Sequence, residues 1–152
     1  KHRACGRAAG DNYSLKEERN LLFKESVRTP RQHAMIDVTS IVRRAISKAG
    51  MTEGHIVVSV PHTTAALTVN ENADPDVVTD LLRRLEQLVP THDPADRHSE
   101  GNSAAHLKSS LLGTCHTFIV SKGEPVLGTW QGIYLCEFDG PRTRKLIISI
   151  QN

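Results

Sequence analysis

The most regular pattern in this chain is Asp74-Pro-Asp-Val-Val-Thr-Asp-Leu-Leu-Arg-Arg-Leu-Glu-Gln-Leu-Val-Pro90. Apolar residues recur in it at helical spacing, and the charged residues Arg83 and Glu86 fall on the opposite face. Asp74 can accept hydrogen bonds from the free amides of the first turn, and Pro75 suits the first helical position. We therefore predict an amphipathic helix that begins after Asp74 and stops at Pro90.

Segments with the composition of β-strands precede and follow this helix. The first two, residues 21–27 and 34–38, are predicted to form a hairpin. A short helix follows, capped by Thr39 or Ser40 and ended by a left-handed Gly50. The other predicted elements are strands at 55–60, 65–69, 117–121, 126–129, 133–138 and 145–150, and a helix over 103–112 capped by Asn102. This order predicts one α+β domain with a largely antiparallel or mixed sheet and two or three helices.

The composition suits a single globular domain. The chain has 152 residues, of which 38% are hydrophobic and 24% charged, and its formal net charge is +2. So small a charge, with the basic residues scattered, gives no electrostatic case for nucleic acid, and no apolar run reaches the roughly 20 residues that span a membrane. The basic run at residues 142–145 is interpreted as a solvated turn. Residues 1–20 are basic and polar without the apolar core of a secretory signal, and we predict a flexible tail or a remnant of expression outside the 21–152 domain.

The three cysteines, Cys5, Cys115 and Cys136, are widely spaced and form no C-x-x-C pair. An odd, scattered set indicates reduced thiols rather than a disulfide framework. Cys115 and His116 are adjacent, and neighbours in a strand point to opposite faces, so they are not placed as a nucleophile and its base. We expect a cytoplasmic protein.

The densest group of chemically active side chains runs from His98 to Ser110, and includes Glu100, His106 and Lys108. Histidine is the commonest metal ligand and carries protons near pH 7, while a helix N-terminus favours anions. Lysine adds a positive charge, and serine and threonine hydroxyls add donors. An oxyanion such as phosphate is the ligand that these groups suit best.

Two further polar clusters lie elsewhere. His62-Thr-Thr64, followed by Asn70-Glu71-Asn72, precedes the group at 98–110, and Gly128-Thr-Trp-Gln-Gly132 follows it. We predict that all three clusters converge on one site. The residues assigned to catalysis are His62, Glu71, His98, Glu100 and His106; those assigned to substrate or phosphate are Thr63, Thr64, Asn72, Asn102, Lys108, Ser109 and Gln131; and the metal ligands are His62, His98 and His106. The expected cofactor is a divalent metal ion, zinc or magnesium, although no H-E-x-x-H or C-x-x-C pattern is present.

These residues also have structural interpretations. Asn102 and Ser103 can simply cap the helix, Lys108 can be solvated, and Glu100 can be a surface acid near the helix start. Trp130 is the only tryptophan, and core packing is the interpretation we favour for it. Glycines 128 and 132 allow the backbone to approach another chain or a ligand closely.

Six segments, taken together and in order, resemble a known family over roughly residues 21–150. They are Pro61-His-Thr-Thr-Ala-Ala-Leu-Thr-Val-Asn-Glu-Asn72, Asp74-Pro-Asp-Val77, His98-Ser-Glu-Gly-Asn102, Ala105-His-Leu-Lys-Ser-Ser-Leu-Leu-Gly113, Leu127-Gly-Thr-Trp-Gln-Gly-Ile-Tyr134 and Glu137-Phe-Asp-Gly-Pro-Arg142. They are similar to the YjbQ family, also called UPF0047 and often labelled secondary thiamine-phosphate synthase. The resemblance implies an α+β homotrimer whose polar clusters share a pocket, and an activity that joins a pyrimidine diphosphate and a thiazole phosphate to make thiamine phosphate. It carries the site to His62, Glu71, Asn72, His98, Glu100, Asn102, His106 and Lys108.

The leading hypothesis is a trimeric, metal-assisted enzyme that acts on a phosphorylated small molecule, with thiamine-phosphate synthesis as the named reaction. In it the three histidines hold the metal or shuttle protons, Glu71 or Glu100 is a second ligand or base, and Lys108 grips phosphate. One alternative is a metal-dependent hydrolase that uses the same residues to activate water. Another is a non-catalytic trimeric protein whose pocket senses a metabolite. Neither nucleic acid nor a membrane is an expected partner.

Overall fold

The structure, a computed structural model, describes residues 20–151. The predicted tail at residues 1–20 lies outside this range except for Asn20, which begins the first strand. The elements in chain order are β1 (Asn20–Arg28), β2 (Ala34–Asp37), α1 (Thr39–Ala49), β3 (Glu53–Ser59), β4 (Ala65–Glu71), α2 (Pro75–Leu88), α3 (Ser103–Leu112), β5 (Cys115–Ser121), β6 (Glu124–Pro125), β7 (Gln131–Glu137) and β8 (Thr143–Gln151). The α+β class is therefore confirmed. No helix within the described range combines the length and apolarity needed to cross a membrane.

The strands form two sheets. The larger has the order β1-β8-β3-β5-β6 and the smaller β2-β7-β4, and all their pairings are antiparallel. The predicted hairpin between the first two strands is wrong, because β1 pairs with β8 and β2 pairs with β7. The chain leaves β1 at Thr29, whose amide bonds the carbonyl of Arg142, and crosses to the other sheet. A link of five residues between the two strands is long enough for this change of sheet.

The smaller sheet is buried on both faces, with β7 at its centre. Ile133 and Leu135 of β7 face the larger sheet and α1, while Tyr134 and Cys136 face α3 and α2. Side chains on a strand alternate between faces, so one strand serves both halves of the core. Because Leu135 is fully buried in this core, truncating it to alanine should lower the free energy of unfolding by about 2–5 kcal/mol.

Helix termini explain where prediction succeeded and where it failed. Asp74 caps α2, its carboxylate accepting from the Asp76 amide at 2.9 Å, and Pro75 is the first helical residue, as predicted. Gly50 ends α1 at φ +65°, also as predicted. The predicted hydroxyl cap of α1 is wrong, because the hydroxyl of Thr39 instead accepts from the amide of Ile133, 2.8 Å away on β7.

The predicted strand at residues 126–129 is also wrong. The side-chain oxygen of Gln131 accepts from the amide of Gly128 at 2.8 Å, and the Gln131 amide returns a bond to the Gly128 carbonyl. These two bonds close a turn that replaces the strand. The turn leaves Trp130 64% exposed, which corrects its predicted place in the core.

Helices α2 and α3 are joined by an ion pair. The ammonium of Lys108 is almost wholly buried and lies 2.6 Å from the carboxylate of Glu86. The same carboxylate accepts from the amide and hydroxyl of Thr91, at 2.7 and 2.8 Å. Desolvation raises the pKa of Glu86, but the bonds from Lys108 and Thr91 outweigh it and lower this pKa to about 2. Lys108 is therefore not solvated, and it already has an anionic partner within the fold.

We predict that Glu86→Gln destabilises the protein by about 1–3 kcal/mol, because it leaves the Lys108 ammonium buried without a counter-charge. Lys108→Met should cost less, since Glu86 is partly exposed and can be hydrated. The depressed pKa of Glu86 stabilises the fold above its unfolded value near 4.5, and this contribution is lost as the pH falls towards 2. Urea unfolding from pH 7 to pH 2 should therefore show the gap between wild type and Glu86→Gln closing in acid.

The exposed pair between Asp80 and Arg83 provides the control for this prediction. Asp80→Asn removes a carboxylate from the same helix and should change stability by less than about 1 kcal/mol. Equal losses of stability in Asp80→Asn and Glu86→Gln at pH 7 would show that the pair of Glu86 with Lys108 stabilises the fold no more than an exposed ion pair.

Candidate functional site

A cleft of about 720 Å³ lies where the connection between β3 and β4 meets α3. We call it the imidazole cleft, because His62 and His106 both line it. Its lining is Ser59, Val60, Pro61, His62, Thr63, His106, Ser109, Ser110, Gly113 and Thr114. No carboxylate belongs to this lining, so the cleft presents no fixed negative side chain to a ligand.

His106 also lines a smaller hollow of about 330 Å³ with His98 and Ser103. The His98 and His106 rings are 5.3 Å apart at their centroids and meet edge to face. His98 Nε2 lies 3.8 Å from a carboxylate oxygen of Glu100, which is itself mostly exposed. Neither ring nitrogen of His106 has a hydrogen-bond partner among residues 20–151, so both are available to a ligand.

His62 differs from the other two histidines because its ring is already bonded to the backbone. The amide of Lys145 donates to His62 Nε2 at 2.7 Å. A nitrogen that accepts this bond carries no proton, so the neutral ring carries its proton on Nδ1. Burial lowers the pKa of His62, and the nearby Arg144 guanidinium lowers it further, which favours this neutral form. His62 is therefore a hydrogen-bond donor, and its Nε2 is not free for a metal or a proton.

The predicted hydroxyl residues are only partly available to a ligand. Thr63 lines the cleft and is exposed. Ser109 donates to the carbonyl of Ala65 at 2.7 Å, and the buried Thr64 hydroxyl accepts from Arg144 at 2.9 Å. Of the three, Thr63 alone combines an exposed position with a place in the cleft.

Asn72 and Gln131 line a separate cleft of about 540 Å³ with Asp37. The Asn72 amide donates to Asp37 at 3.2 Å and covers Gly132, where an added Cβ would lie 2.7 Å from the Asn72 nitrogen. The close approach inferred for Gly132 thus occurs against Asn72. Because these residues belong to a different cleft, the predicted convergence of all three clusters does not occur within one chain.

The remaining predicted residues also lie outside the imidazole cleft. The Asn102 amide donates to Asp139 at 3.1 Å and to Glu100 at 3.3 Å, so its side chain does not cap α3. Glu71 accepts a bond from Tyr134 through its backbone carbonyl at 3.1 Å. Lys108 is engaged with Glu86, as described above, and is not placed to grip phosphate in this cleft.

The predicted metal site of His62, His98 and His106 is not assembled within the part of the chain that the structure describes. Within residues 20–151, no group of three or more histidine, cysteine, aspartate or glutamate side chains is arranged to hold a metal ion. The bond to His62 Nε2 explains part of this result, because it removes that nitrogen from the predicted ligand set.

The ion pair between Glu137 and Arg144 is the feature that sequence reasoning missed. Glu137 is 0% exposed and Arg144 is 5% exposed, so the basic run at 142–145 is not wholly a solvated turn. A signal for the pair was present, because Glu137 is in phase with the buried Ile133 and Leu135 of its strand. Arg144 is likewise in phase with the buried Leu146 of β8.

Comparison with known proteins identifies the family. The sequence profile described as UPF0047 protein YjbQ-like matches residues 24–152. The UPF0047 protein YugU of Bacillus subtilis is 50% identical over 124 residues, covering 82% of this chain and 94% of YugU. A crystal structure of an uncharacterized YjbQ/UPF0047 protein from Clostridium acetobutylicum is 46% identical, with a TM-score of 0.81 and coverage of 84% and 99%. That of a YbjQ-like protein of unknown function from Sulfolobus solfataricus is 31% identical, with a TM-score of 0.84 and coverage of 90% and 99%. The chain belongs to the UPF0047 (YjbQ-like) family.

Proposed function

We propose that this protein is an enzyme that binds a phosphorylated small molecule in the imidazole cleft. The observation that supports this most is the bond from the Lys145 amide to His62 Nε2, which leaves Nδ1–H as the polar group that His62 offers. His106 faces the same cleft with both ring nitrogens free of partners in the described range. One imidazole thus acts as a fixed donor, while the other can accept or release a proton.

The donors of the cleft suit an oxyanion. A phosphate oxygen can accept from the His62 Nδ1–H and from the hydroxyl of Thr63, both of which are side chains of the lining. Arg144 lies nearby but is paired with Glu137, so the cleft would hold an anion through hydrogen-bond donors rather than through a net charge. Because no carboxylate lines the cleft, no side chain of the lining repels an anion.

Thiamine-phosphate synthesis is the candidate reaction, on the strength of the family resemblance. In it the thiazole nitrogen forms a bond to the methylene carbon of the pyrimidine, and the carbon–oxygen bond to the diphosphate breaks. The departing diphosphate takes the electron pair, so donors at its oxygens stabilise the transition state. We assign His62 to hold a phosphate oxygen and His106, beside His98, to hydrogen-bond or protonate the leaving group.

A divalent cation, zinc or magnesium, remains part of the proposal. A cation here would supply charge neutralisation for the diphosphate. The side chains of residues 20–151 do not provide the three ligands it needs, although the rings of His98 and His106 lie close together, 5.3 Å apart at their centroids. Further ligands would have to come from the substrate or a second subunit.

Hydrolysis of a phosphate ester is the second candidate, and the free imidazole of His106 is the observation that favours it. A neutral imidazole can take a proton from water, while the same His62 donor holds the phosphate. A protein that binds a metabolite without turnover is the third candidate.

The test uses the purified full chain with magnesium, with zinc and with a chelator. One assay supplies the pyrimidine diphosphate and thiazole phosphate and measures thiamine phosphate, a second measures phosphate release from a panel of phosphate esters, and a third measures thermal stabilisation by the same compounds. Thiamine phosphate formation supports the first candidate and ester hydrolysis the second. Stabilisation without turnover supports the third, and no response in any assay overturns binding of a phosphorylated ligand.

We predict that His106→Ala lowers the turnover found in these assays about 100-fold or more while substrate affinity changes little, because it removes a proton-transfer group. His62→Phe should instead weaken phosphate binding, because it removes the Nδ1–H donor while keeping a ring. His55→Ala is the control, since His55 lies on β3 outside the cleft. Full activity in both His106→Ala and His62→Phe would rule out this cleft as the active site.

We also propose that the protein is a homotrimer, as the family resemblance implies. Helix α2 supports an assembly, because Val78 and Leu85 are only partly buried against the smaller sheet and Leu88 is 71% exposed. Trp130, Leu107 and Leu111 are further large apolar side chains that are at least half exposed. Exposed apolar surface of this kind marks interaction sites.

Size-exclusion chromatography with light scattering should give three times the chain mass of 16.8 kDa. Leu88→Lys should reduce the trimer if α2 contributes to the interface, whereas Gln87→Lys on the polar face of the same helix should not. A wild-type protein that is monomeric at micromolar concentration would overturn the assembly.

A cytoplasmic location also stays a proposal. Its support is that Cys115 and Cys136 are free thiols, in agreement with a reducing compartment. Burial raises the pKa of the Cys136 thiol to about 12, so this residue is inert packing in the core.

A further inference from the structure

We propose that Arg144 is a positioning residue for the imidazole cleft: paired with Glu137, it holds the Lys145 amide against His62 so that the His62 ring keeps its Nδ1–H donor directed to the phosphate. The phosphate in this proposal comes from the proposed function. Arg144 itself would not touch the substrate and would act through His62. The supporting observations are the contacts of Arg144 with Glu137 and Thr64, and the bond from the amide of the next residue, Lys145, to His62.

The first contact joins the two sheets. Arg144 Nε lies 2.7 Å from one carboxylate oxygen of Glu137, and its Nη2 donates to the other, which makes a two-point contact between β8 and the end of β7. Glu137 is held in turn by the amides of Phe138 and Asp139, at 3.0 and 2.9 Å, and by the hydroxyl of Thr29 at 2.9 Å. With every lone pair direction supplied by a donor, the carboxylate has one orientation, and so does the guanidinium bound to it.

The second set of contacts reaches the segment that carries His62. Arg144 Nη2 also donates to the hydroxyl of Thr64 at 2.9 Å, two residues after His62. The amide that follows Arg144 in the chain, that of Lys145, donates to His62 Nε2. Arg144 therefore contacts the residue two positions after His62 and directly precedes the residue whose amide selects the His62 tautomer.

Stability alone does not account for such a pair. Apolar residues of similar volume often serve a buried position equally well or better, because two charges must lose their hydration. Arginine and glutamate instead provide direction, since the planar guanidinium accepts only one arrangement of partners. Arg144 also contributes, after burial, to the lowered pKa of His62, which opposes protonation of Nε2.

The experiment compares two double variants. Arg144→Met with Glu137→Met removes the pair without leaving a buried charge unpaired, so the protein should fold. Glu86→Met with Lys108→Met is the matched control, because it removes the ion pair of the buried Lys108, and neither side chain hydrogen-bonds to His62 within residues 20–151. Folding is checked by circular dichroism, the His62 tautomer by ¹⁵N nuclear magnetic resonance of the imidazole, and binding by titration with inorganic phosphate.

In the wild type and the control, His62 should be the Nδ1–H tautomer with the same phosphate affinity. In the Arg144/Glu137 double variant the two tautomers should mix, and phosphate affinity should fall about tenfold or more, the loss of one hydrogen bond to a charged group. If that variant does not fold, Arg144→Lys takes its place. It keeps the charge but loses the two-point contact and the Thr64 bond, and it should show both changes in a folded protein.

The two proposals fail differently. A folded variant that keeps the Nδ1–H tautomer and wild-type phosphate affinity overturns the positioning role. Equal losses in the control pair also overturn it, because they would reflect stability alone. A wild type that holds the tautomer but does not bind phosphate overturns the proposed ligand, and the tautomer of the Arg144/Glu137 variant then decides the positioning role by itself.

Discussion

The burial of the Glu137 carboxylate is the constraint on which the rest of the site depends. An isolated carboxylate in a core is very costly, so it must be paired and hydrogen-bonded. Glu137 ends the central strand of the smaller sheet, with both of its neighbouring strands in place at that position. The cation that neutralises it, Arg144, comes from the facing sheet. The need to neutralise this buried charge thereby joins the two sheets close to His62.

The parts of the fold that sequence predicted are those determined by neighbouring residues. The cap at Asp74 and the left-handed Gly50 need only a few residues of chain, and both were found. The pairing of β1 with β8 was not predictable in the same way, because its partners are more than a hundred residues apart. Residues 126–129 have strand-like composition, yet one side-chain bond from Gln131 closes a turn there. The composition of a short segment does not predict a bond of this kind.

The candidate site shows the same division. The pattern of polar residues drew attention to His62 and His106, and the fold brings both to one cleft. The pattern does not record which polar groups are already bonded inside the protein. Lys108 and Asn102 were therefore assigned to a ligand, although Glu86 binds the Lys108 ammonium and Asp139 accepts from the Asn102 side-chain nitrogen. A polar side chain is bonded inside the protein when it is buried, and its burial depends on strands and helices that are distant in the sequence.

The histidines of the cleft are chemically distinct because their neighbours differ, not because their sequence contexts do. A backbone amide at Nε2 makes His62 a donor at its other nitrogen, and a backbone amide cannot change its role with pH. His106 lies against the ring of His98 and has no such fixed bond in the described chain. A fixed donor and a free imidazole facing one ligand is an arrangement that phosphate chemistry can use, since the anion must be held while a proton moves. The asymmetry arises from a single amide on β8, that of Lys145, which follows directly after the Arg144 that pairs with Glu137.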